Sequence, residues 1–568
     1  MHPQPWLASY GTIPAHINAD AHRSVVHLLD VAMLRYAHHP AFTCLGQTLT
    51  YADVDHLSRA FAAYLQNVLQ VRKGDRIAVM CPNLLAFPIV LLGIARAGGV
   101  QVNVNPLYTP RELEHQLHDA GAKVLVIYAG ATATLAAIQG RVDLHRVITV
   151  APGDGTPAAL PGPPVDAGLA LPTTALGKAL AQGAGLAFKP VRLAGDDLLF
   201  LQYTGGTTGL SKGAMLTHRN LVANVEQFKA FMPDDLRPGL ESIVTAIPLY
   251  HIFALMVNLV TYFSVGAHNW LVPNPRDLDA LIGVMKAAHP SVFMGVNTLY
   301  AGLAAHPRTQ EIDFSNLRLA GGGGSAIIAS VSARWQALTG QFIREGYGLS
   351  ETSPVVTFNP AYVSEFTGTT GLPLPSTDVQ LLDDNDQPVP VGAAGEVCVK
   401  GPQVMSGYWQ KPEANAAAFT ADGYFRTGDV GQMDERGFLK IVDRKKDMVL
   451  VSGFNVFPNE VEAVATACPG VLECACIGVP DDKTGEALRL YVVRIPEVRV
   501  STQDIAEHCR RELTPYKVPR QIVFVDALPK SSVGKILRRE LRDGVAQPAR
   551  AQLHRVTGVV SGLTSPSA

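Results

Sequence analysis

Residues Tyr203 to Gly213 read Tyr-Thr-Gly-Gly-Thr-Thr-Gly-Leu-Ser-Lys-Gly and follow the apolar run Leu198 to Leu201. A strand that empties into such a loop can bring backbone N–H groups close to an anion, because glycine puts no Cβ in the way. Thr204, Thr207, Thr208 and Ser211 add hydroxyl donors, and Lys212 adds a flexible point charge suited to a β- or γ-phosphate. The chemistry these residues suit is phosphate binding. The loop is not of the Walker A type, since the Gly-Lys-Ser/Thr ending is missing. A flexible glycine-rich surface turn is the plainer reading, but a turn requires neither the hydroxyls nor the lysine.

Other stretches carry groups that could complete a nucleotide site. Glu345 to Pro354 reads Glu-Gly-Tyr-Gly-Leu-Ser-Glu-Thr-Ser-Pro. The Tyr347 ring, set between two glycines, can lie flat against a base, and Glu351 can reach a Mg²⁺ carried by nucleotide phosphates. Tyr424 to Asp429 places a carboxylate after a tight turn, where it can accept from both ribose hydroxyls or simply close an Asx turn. Gly321 to Ser325 holds four glycines at the end of an apolar run, which suits close approach by a ligand or another chain segment, or a permissive loop.

The elements that must position these groups alternate in type. Ser24 to His38 and the stretch through Asn67 have helical spacing, Arg76 to Met80 and Lys123 to Tyr128 are short β-branched runs, and the alternation predicts a parallel α/β sheet. Ile243 to Ile247 and Val292 to Val296 predict further buried strands. They end in the turns Pro248 to His251 and Gly295 to Thr298, candidate walls for a ligand outside the carboxyl edge of the sheet. Residues 151–190, rich in Pro, Ala and Gly, read as a surface excursion of the large domain. Ser242 to Pro275 contains no Asp, Glu, Lys or Arg, but its Pro, His, Asn and Gly interruptions favour a buried strand, loop and helix over a membrane span. From Phe438 onward strands and helices alternate over about 100 residues, a second α/β domain set off by the charged step Asp443 to Asp447. The expected organisation is a large multi-subdomain α/β domain over 1–442, a hinge at 443–447, a small mobile α/β domain over 448–545, and a poorly ordered tail over 546–568.

Composition narrows the function classes. At 568 residues, 47% hydrophobic and 17% charged, the chain is an ordinary globular protein of several subdomains. A net charge of −2 provides no field to attract nucleic acid. Seven cysteines at no disulfide or zinc spacing fit a reducing cytoplasm. Cys474 and Cys476, two apart in a strand-like run, read as buried small hydrophobes on one face. No signal peptide is visible at the amino terminus.

Taken in order, the segments 203–213, 347–352, 424–429, 443–455 and 529–535 resemble the core motif series of the adenylate-forming superfamily, which includes acyl-CoA ligases, luciferases and peptide-synthetase adenylation domains. The segments Pro248 to Leu255, Val399 to Met405, Asp443 to Met448 and Leu528 to Arg538 resemble the bacterial long-chain fatty-acid CoA ligases. This resemblance implies an AMP-forming acid–thiol ligase with ATP, a fatty acid and CoA as substrates and Mg²⁺ as cofactor. It implies that Thr204, Gly205, Gly206, Thr207, Thr208, Gly209 and Lys212 hold the ATP phosphates. Tyr347, with Gly348 and Ser350, takes the adenine, and Glu351 and Thr208 take the metal. Asp429 and Arg444 hold the ribose, and Lys535 bridges the carboxylate and the α-phosphate, forming the catalytic set with Glu351 and Lys212. His251, Gly295, Gly322 and Gly323 border the acyl substrate, and Lys446 stands at the family's hinge position. The chain departs from many members at Gly205, Ser211 and Asp443, and has Gly322-Gly-Gly-Ser-Ala326 where the fatty-acid branch often has Gly-Gly-Gly-Met-Pro, which leaves the shape of the acyl pocket open.

Competing readings remain at this level. A medium-chain or other carboxylate ligase has the same frame. An amino-acid adenylation domain normally offers a carboxylate to the substrate ammonium, where this chain offers His251 and apolar residues. A non-catalytic module would be expected to have lost Lys535, Glu351 or Asp429. A peripheral contact with the inner face of a membrane and a homodimer are both compatible with the sequence.

Overall fold

The computed structural model describes residues 4–204, 211–452, 454–481, 484–496, 498–531, 534–544 and 554–555. The expected tail over 546–568 lies outside the described residues except for 554–555. The chain divides into a larger compact unit, residues 1–327, 331–427 and 431–441, and a smaller one, residues 328–330, 428–430 and 442–568. Both are mixed α/β.

The larger unit is built on two extended sheets. In the first, Thr173–Ala175, Arg146–Val150, Val124–Tyr128, Arg76–Met80, Val100–Asn103 and Leu198–Thr204 lie side by side and parallel, and Lys212–Thr217 closes the edge antiparallel to Leu198–Thr204. Ile77 to Met80 and Leu125 to Ile127 are fully buried, as expected of near-continuous apolar runs in a sheet covered on both faces. The 151–190 stretch is more than a surface excursion. It supplies the edge strand Thr173–Ala175 and the helix Leu176–Ala184, in which the apolar positions Leu176, Ala179, Leu180 and Gly183 are buried. A Cβ on Gly183 would lie 2.0 Å from the Ala60 carbonyl oxygen, so this helix can sit against Tyr51–Asn67 only with glycine there.

The second sheet runs in the order Leu372–Pro373, Val355–Phe358, Ile343–Gly348, Leu319–Gly322, Val292–Gly295, Ser242–Thr245, His268–Leu271, Pro40–Cys44 and Gln47–Thr50. The 242–275 stretch, expected as strand, loop and helix, contributes two strands here. Between them its helix is of the π type over Ala254–Thr261, every residue of it buried. A small four-stranded sheet in the order Asp378–Leu382, Gly395–Lys400, Phe425–Met433 and Leu439–Arg444 follows, its first two strands antiparallel. In the smaller unit, Val471–Asp481 and Gly485–Arg494 form a long antiparallel pair extended by Gln521–Phe524, with Pro458–Ala467 and Thr502–Glu512 contributing to its core. Cys474 and Cys476 both face that core, while Ala475 belongs to the apolar cluster on the other side. No helix among the described residues is long and apolar enough to cross a membrane.

Candidate active site

The strands Leu198–Thr204 and Lys212–Thr217 pair antiparallel on either side of the segment expected to bind phosphate. Thr204 lies opposite Lys212 in their register. Gly205, Gly206, Thr207, Thr208 and Gly209 lie outside the described residues. The base of the hairpin is pinned by Pro110–Ala120, a helix whose start is fixed by a Thr109/Glu112 capping box with Pro110 in the first turn and whose end is Gly121 in the left-handed conformation. From that helix His115 Nε2 lies 3.0 Å from the Ser211 carbonyl, and Asp119 accepts from the Tyr203 hydroxyl at 2.7 Å. Burial, reinforced by the Asp119 carboxylate, raises the Tyr203 phenol and keeps it a donor.

A segment that sequence reasoning passed over joins the other edge. Met215 N–H donates to the Gly407 carbonyl at 2.9 Å and Trp409 N–H to the Gly213 carbonyl at 2.8 Å, so residues 407–409 extend the hairpin by one short antiparallel rung. This places the Tyr408 ring 4.7 Å from the Lys212 ammonium, while the Tyr408 hydroxyl donates to Glu351 Oε1 at 2.9 Å. Burial first, then the adjacent Glu351 charge, raises the Tyr408 phenol, so it stays protonated. Asn415 holds the backbone of Tyr408, accepting from its N–H at 2.6 Å and donating to its carbonyl at 3.0 Å. Lys212 and Glu351 are thus joined through one aromatic side chain, which the sequence could announce only as one Tyr among 16.

Glu351 is buried on the short 3₁₀ turn Ser350–Thr352, directly after the strand that carries Tyr347 and Gly348. The Met405 N–H donates to the Glu351 carbonyl at 2.8 Å and ties this turn to the segment leading to Tyr408. Gly348 is required by packing, since a Cβ there would lie 2.1 Å from the Pro354 carbonyl oxygen. Among the described residues no group of three or more His, Cys, Asp or Glu side chains is placed to hold a metal. A cation at Glu351 would therefore need ligands from elsewhere. One carboxylate completed by nucleotide phosphates and water is a donor set that fits Mg²⁺.

The candidate acyl-side residues meet at neighbouring strand ends. Gly295 pairs with Gly322, and Gly322 with Glu345. A Cβ on Gly295 would press on Tyr300, and one on Gly322 on Ile327 and Ile343, so these glycines are explained by close packing of the chain itself. Gly323 sits against the Gly346 carbonyl and near Phe253, two residues beyond the half-buried His251. Under this loop lies Glu345, also missed in the sequence: its carboxyl accepts from the Ile327 N–H at 3.0 Å, and burial raises it to about 8. A chain of buried amides links the two large sheets. Gln101 donates to Asn103, Asn103 to Gln202 at 2.8 Å, and Gln202 to the Tyr250 carbonyl at 3.0 Å, while Asn83 donates to the Thr245 and Ile247 carbonyls.

In the smaller unit, Asp429 is buried, and Arg444 Nε lies 3.4 Å from its Oδ1. The Lys445 N–H donates to the Gly428 carbonyl at 3.0 Å, where Gly428 has φ +71°, and this fixes the two strands on either side. Lys446 is exposed, in a turn between the buried carboxylates Asp443 and Asp447. Lys535 is half-buried. Its N–H donates to the Ser531 hydroxyl at 3.1 Å, and its carbonyl accepts from the Ser531 N–H at 2.7 Å. Burial and then the Arg444 charge lower its ammonium to about 7, with Asp429 opposing them. Lys535, Arg444 and Asp429 therefore share one electrostatic neighbourhood.

Residues 29–409 match the AMP-binding enzyme family, and residues 460–535 match the AMP-binding enzyme C-terminal domain. The chain belongs to the AMP-binding enzyme family. Within the family it is 48% identical over 550 residues to a long-chain-fatty-acid–CoA ligase of Escherichia coli O6:H1, covering 95% of this chain and 98% of that one. It is 35% identical to the enzyme of the same name from Bacillus subtilis, covering 95% and 97%. Among solved structures, ATP-bound MatB from Rhodopseudomonas palustris superposes with a TM-score of 0.79 at 30% identity, covering 91% of this chain and 98% of that one. The AMP-binding match takes in the hairpin, Tyr347, Glu351 and Tyr408, and the C-terminal match ends on Lys535.

Proposed function

We propose that the protein is a long-chain fatty acid–CoA ligase, an AMP-forming acid–thiol ligase that activates a fatty acid to acyl-AMP with release of pyrophosphate and then transfers the acyl group to CoA, releasing AMP. The observation that carries the reading is the end-to-end similarity, 48% over 95% of the chain, to a ligase of that name.

The reaction explains why these side chains are needed. A carboxylate has no adequate leaving group, so it attacks the α-phosphate of ATP, and two anions must be brought together. Lys212 and the 204–209 loop hold the phosphates, Tyr347 with Gly348 and Ser350 takes the adenine, and Asp429 and Arg444 take the ribose hydroxyls. Glu351 and Thr208 are the residues that would hold Mg²⁺; its contribution when bound is to neutralise charge spread over the phosphate oxygens. Tyr408 keeps the Glu351 carboxylate oriented by donating to one oxygen. Lys535 aligns carboxylate and α-phosphate in the first half-reaction, and His251, Gly295, Gly322 and Gly323 border the acyl chain. Residues 448–545 turn about Lys446 between the half-reactions, which makes room for the CoA thiol once Lys535 has done its part. A reducing cytoplasm fits the free, buried cysteines. The reading extends to a peripheral contact with the inner membrane face, where long-chain acids partition, and to a homodimer.

Fatty-acid-dependent exchange of pyrophosphate into ATP tests the adenylation step. Saturated acids from C4 to C18, assayed below their micelle concentrations by CoA-dependent AMP release, test the substrate. Each buried CH₂ is worth up to about 0.8 kcal/mol, so kcat/KM should climb with chain length and level off at C12 or beyond. A maximum between C4 and C8 would overturn the long-chain assignment.

A further inference from the structure

The larger unit holds a second concave site made of residues that the ligase chemistry does not use. A cavity of about 740 Å³ opens between the amino-terminal end of the Val25–Arg35 helix, Arg59, Arg96 and the 188–194 segment. That size falls within the roughly 300–1,000 Å³ of small-molecule sites. Val26, Phe188, Val191 and Leu193 give its lining an apolar part, Arg23, Arg59, Arg96 and Arg192 bring four cationic residues to it, and Ser24, His27 and Asp30 add polar ones.

Two of these cations are already spent on the protein itself. Buried Arg96 donates to Asp30 Oδ1 at 2.6 Å, to Asp55 Oδ1 at 2.5 Å and to the Ser58 hydroxyl at 2.7 Å, and Arg59 Nε donates to both Asp55 oxygens at 3.0 Å. Two carboxylates therefore balance two guanidiniums. Arg23 and Arg192 make no ion pair among the described residues, which leaves the cavity with two uncompensated positive charges. Forked donors beside an apolar wall suit a phosphate that carries an apolar or aryl group.

The wall is also firmly held. The 188–194 segment has no regular secondary structure. Even so, Gln66 donates to the Lys189 carbonyl at 2.8 Å and accepts from its N–H at 3.1 Å, Asn67 donates to the Ala187 carbonyl at 3.0 Å, and Lys73 donates to the Arg192 carbonyl at 3.1 Å. Asp197 accepts from the Ala194 N–H at 2.7 Å. A loop tied down by five hydrogen bonds from four side chains gives a cavity that exists before any ligand arrives, so binding bears little ordering cost.

We propose that this cavity binds a phosphate-bearing amphiphile, with the phosphate on Arg23 and Arg192 and the apolar part against Phe188 and Val191. The site is separate from the hairpin, the Tyr347–Glu351 segment and the 248–255 turn.

The test is calorimetric titration of the full chain with 2-naphthyl phosphate, and with inorganic phosphate and 2-naphthol as half-ligands. An unreactive acyl-sulfamoyl adenosine is present throughout to occupy the nucleotide and acyl sites. The expected result is one saturable site, at least tenfold tighter for the ester than for either half. The exposed pair Arg23→Ser/Arg192→Ser, and Arg192→Gln alone as the milder change, should weaken it at least tenfold and severalfold respectively with unfolding temperature unaltered, and Phe188→Ala should weaken it severalfold, with pyrophosphate exchange unaltered in all. Absence of saturable binding, unchanged affinity in the arginine variants, or inorganic phosphate binding as tightly as the ester would each overturn the proposal.

Discussion

Glu345→Gln isolates the effect of one buried carboxyl on stability. Burial raises Glu345 from 4.5 to about 8, and the Ile327 N–H and the Lys440 charge offset this only in part. Between those values the folded chain binds a proton that the unfolded chain has lost. Stability is therefore full below pH 4.5 and falls as pH rises towards 8, by roughly 1.4 kcal/mol per pH unit. By neutral pH the accumulated loss is about 3 kcal/mol. The amide variant does not titrate and keeps an oxygen to accept from the Ile327 N–H. The two proteins should thus unfold together near pH 4.5 and diverge above it. At about 1–2 °C per kcal/mol for a unit of this size, the variant should unfold several degrees higher than the parent between pH 7 and 8. Calorimetric scans at fixed rate across that range measure the difference. Parallel pH dependences, or a variant that loses ground towards pH 8, would show that Glu345 is ionised in the folded protein and that the burial argument fails.

Tyr408→Phe keeps the ring beside Lys212 but removes the hydrogen bond to Glu351, an interaction with a charged group worth about 1.5–3 kcal/mol. The Mg²⁺ concentration for half-maximal adenylation should rise roughly tenfold, and Tyr408→Leu should in addition raise KM for ATP; an unchanged metal dependence would show that Glu351 needs no such partner. Lys535→Ala should slow acyl-adenylate formation by ~10²–10³ and leave thioester formation from supplied acyl-adenylate largely intact, and equal losses in both would remove Lys535 from its assigned role. Because Lys535 is lowered to about 7, adenylation by the wild-type protein should fall as pH rises through that region while the ammonium discharges, a limb that disappears in the alanine variant. Lys446→Pro fixes φ and removes a backbone donor, so adenylation should survive better than transfer to CoA; normal rates in both steps would place the turning point elsewhere.

What could be read from the sequence depended on whether a residue's role is local. The strand Leu198–Thr204 was legible because its apolar run is local, and the roles proposed for Lys212 and Glu351 rest on consecutive residue types, a glycine-rich segment with one lysine and a glycine-flanked aromatic. Tyr408 was invisible for the opposite reason: its task is set by the rung between Tyr408 and Ala214, a pairing between distant stretches that no periodicity announces. The buried amides Asn83, Asn103 and Gln202 lie within or beside apolar runs, and their partners come from pairing of distant strands, Asn103 with Gln202 in one sheet and Asn83 and Gln202 with segments at the end of the other. Glu345 stood only as the first residue of the stretch that carries Tyr347, because burial is a tertiary property. The helix in 242–275 was foreseen but its type was not, since a segment buried on every side shows no amphipathic period from which to measure a turn.

That π-helix has a consequence for how the protein can change over generations. A run of i→i+5 hydrogen bonds accommodates its residues in a wider coil than the α form. Ala254–Thr261 passes directly into the helical residues Tyr262–Ser264. Deleting a single codon there would let the coil tighten towards the α form and shift the facing of the side chains within the run, while the residues beyond it keep theirs, because the wider turn gives up the one residue removed. An insertion would do the reverse. The wall that follows His251 can thus be re-indexed by the smallest length mutation available to a gene, exchanging which of Leu255, Met256 and Leu259 face a given side, while the strands that carry Lys212 and Tyr347 keep their registers.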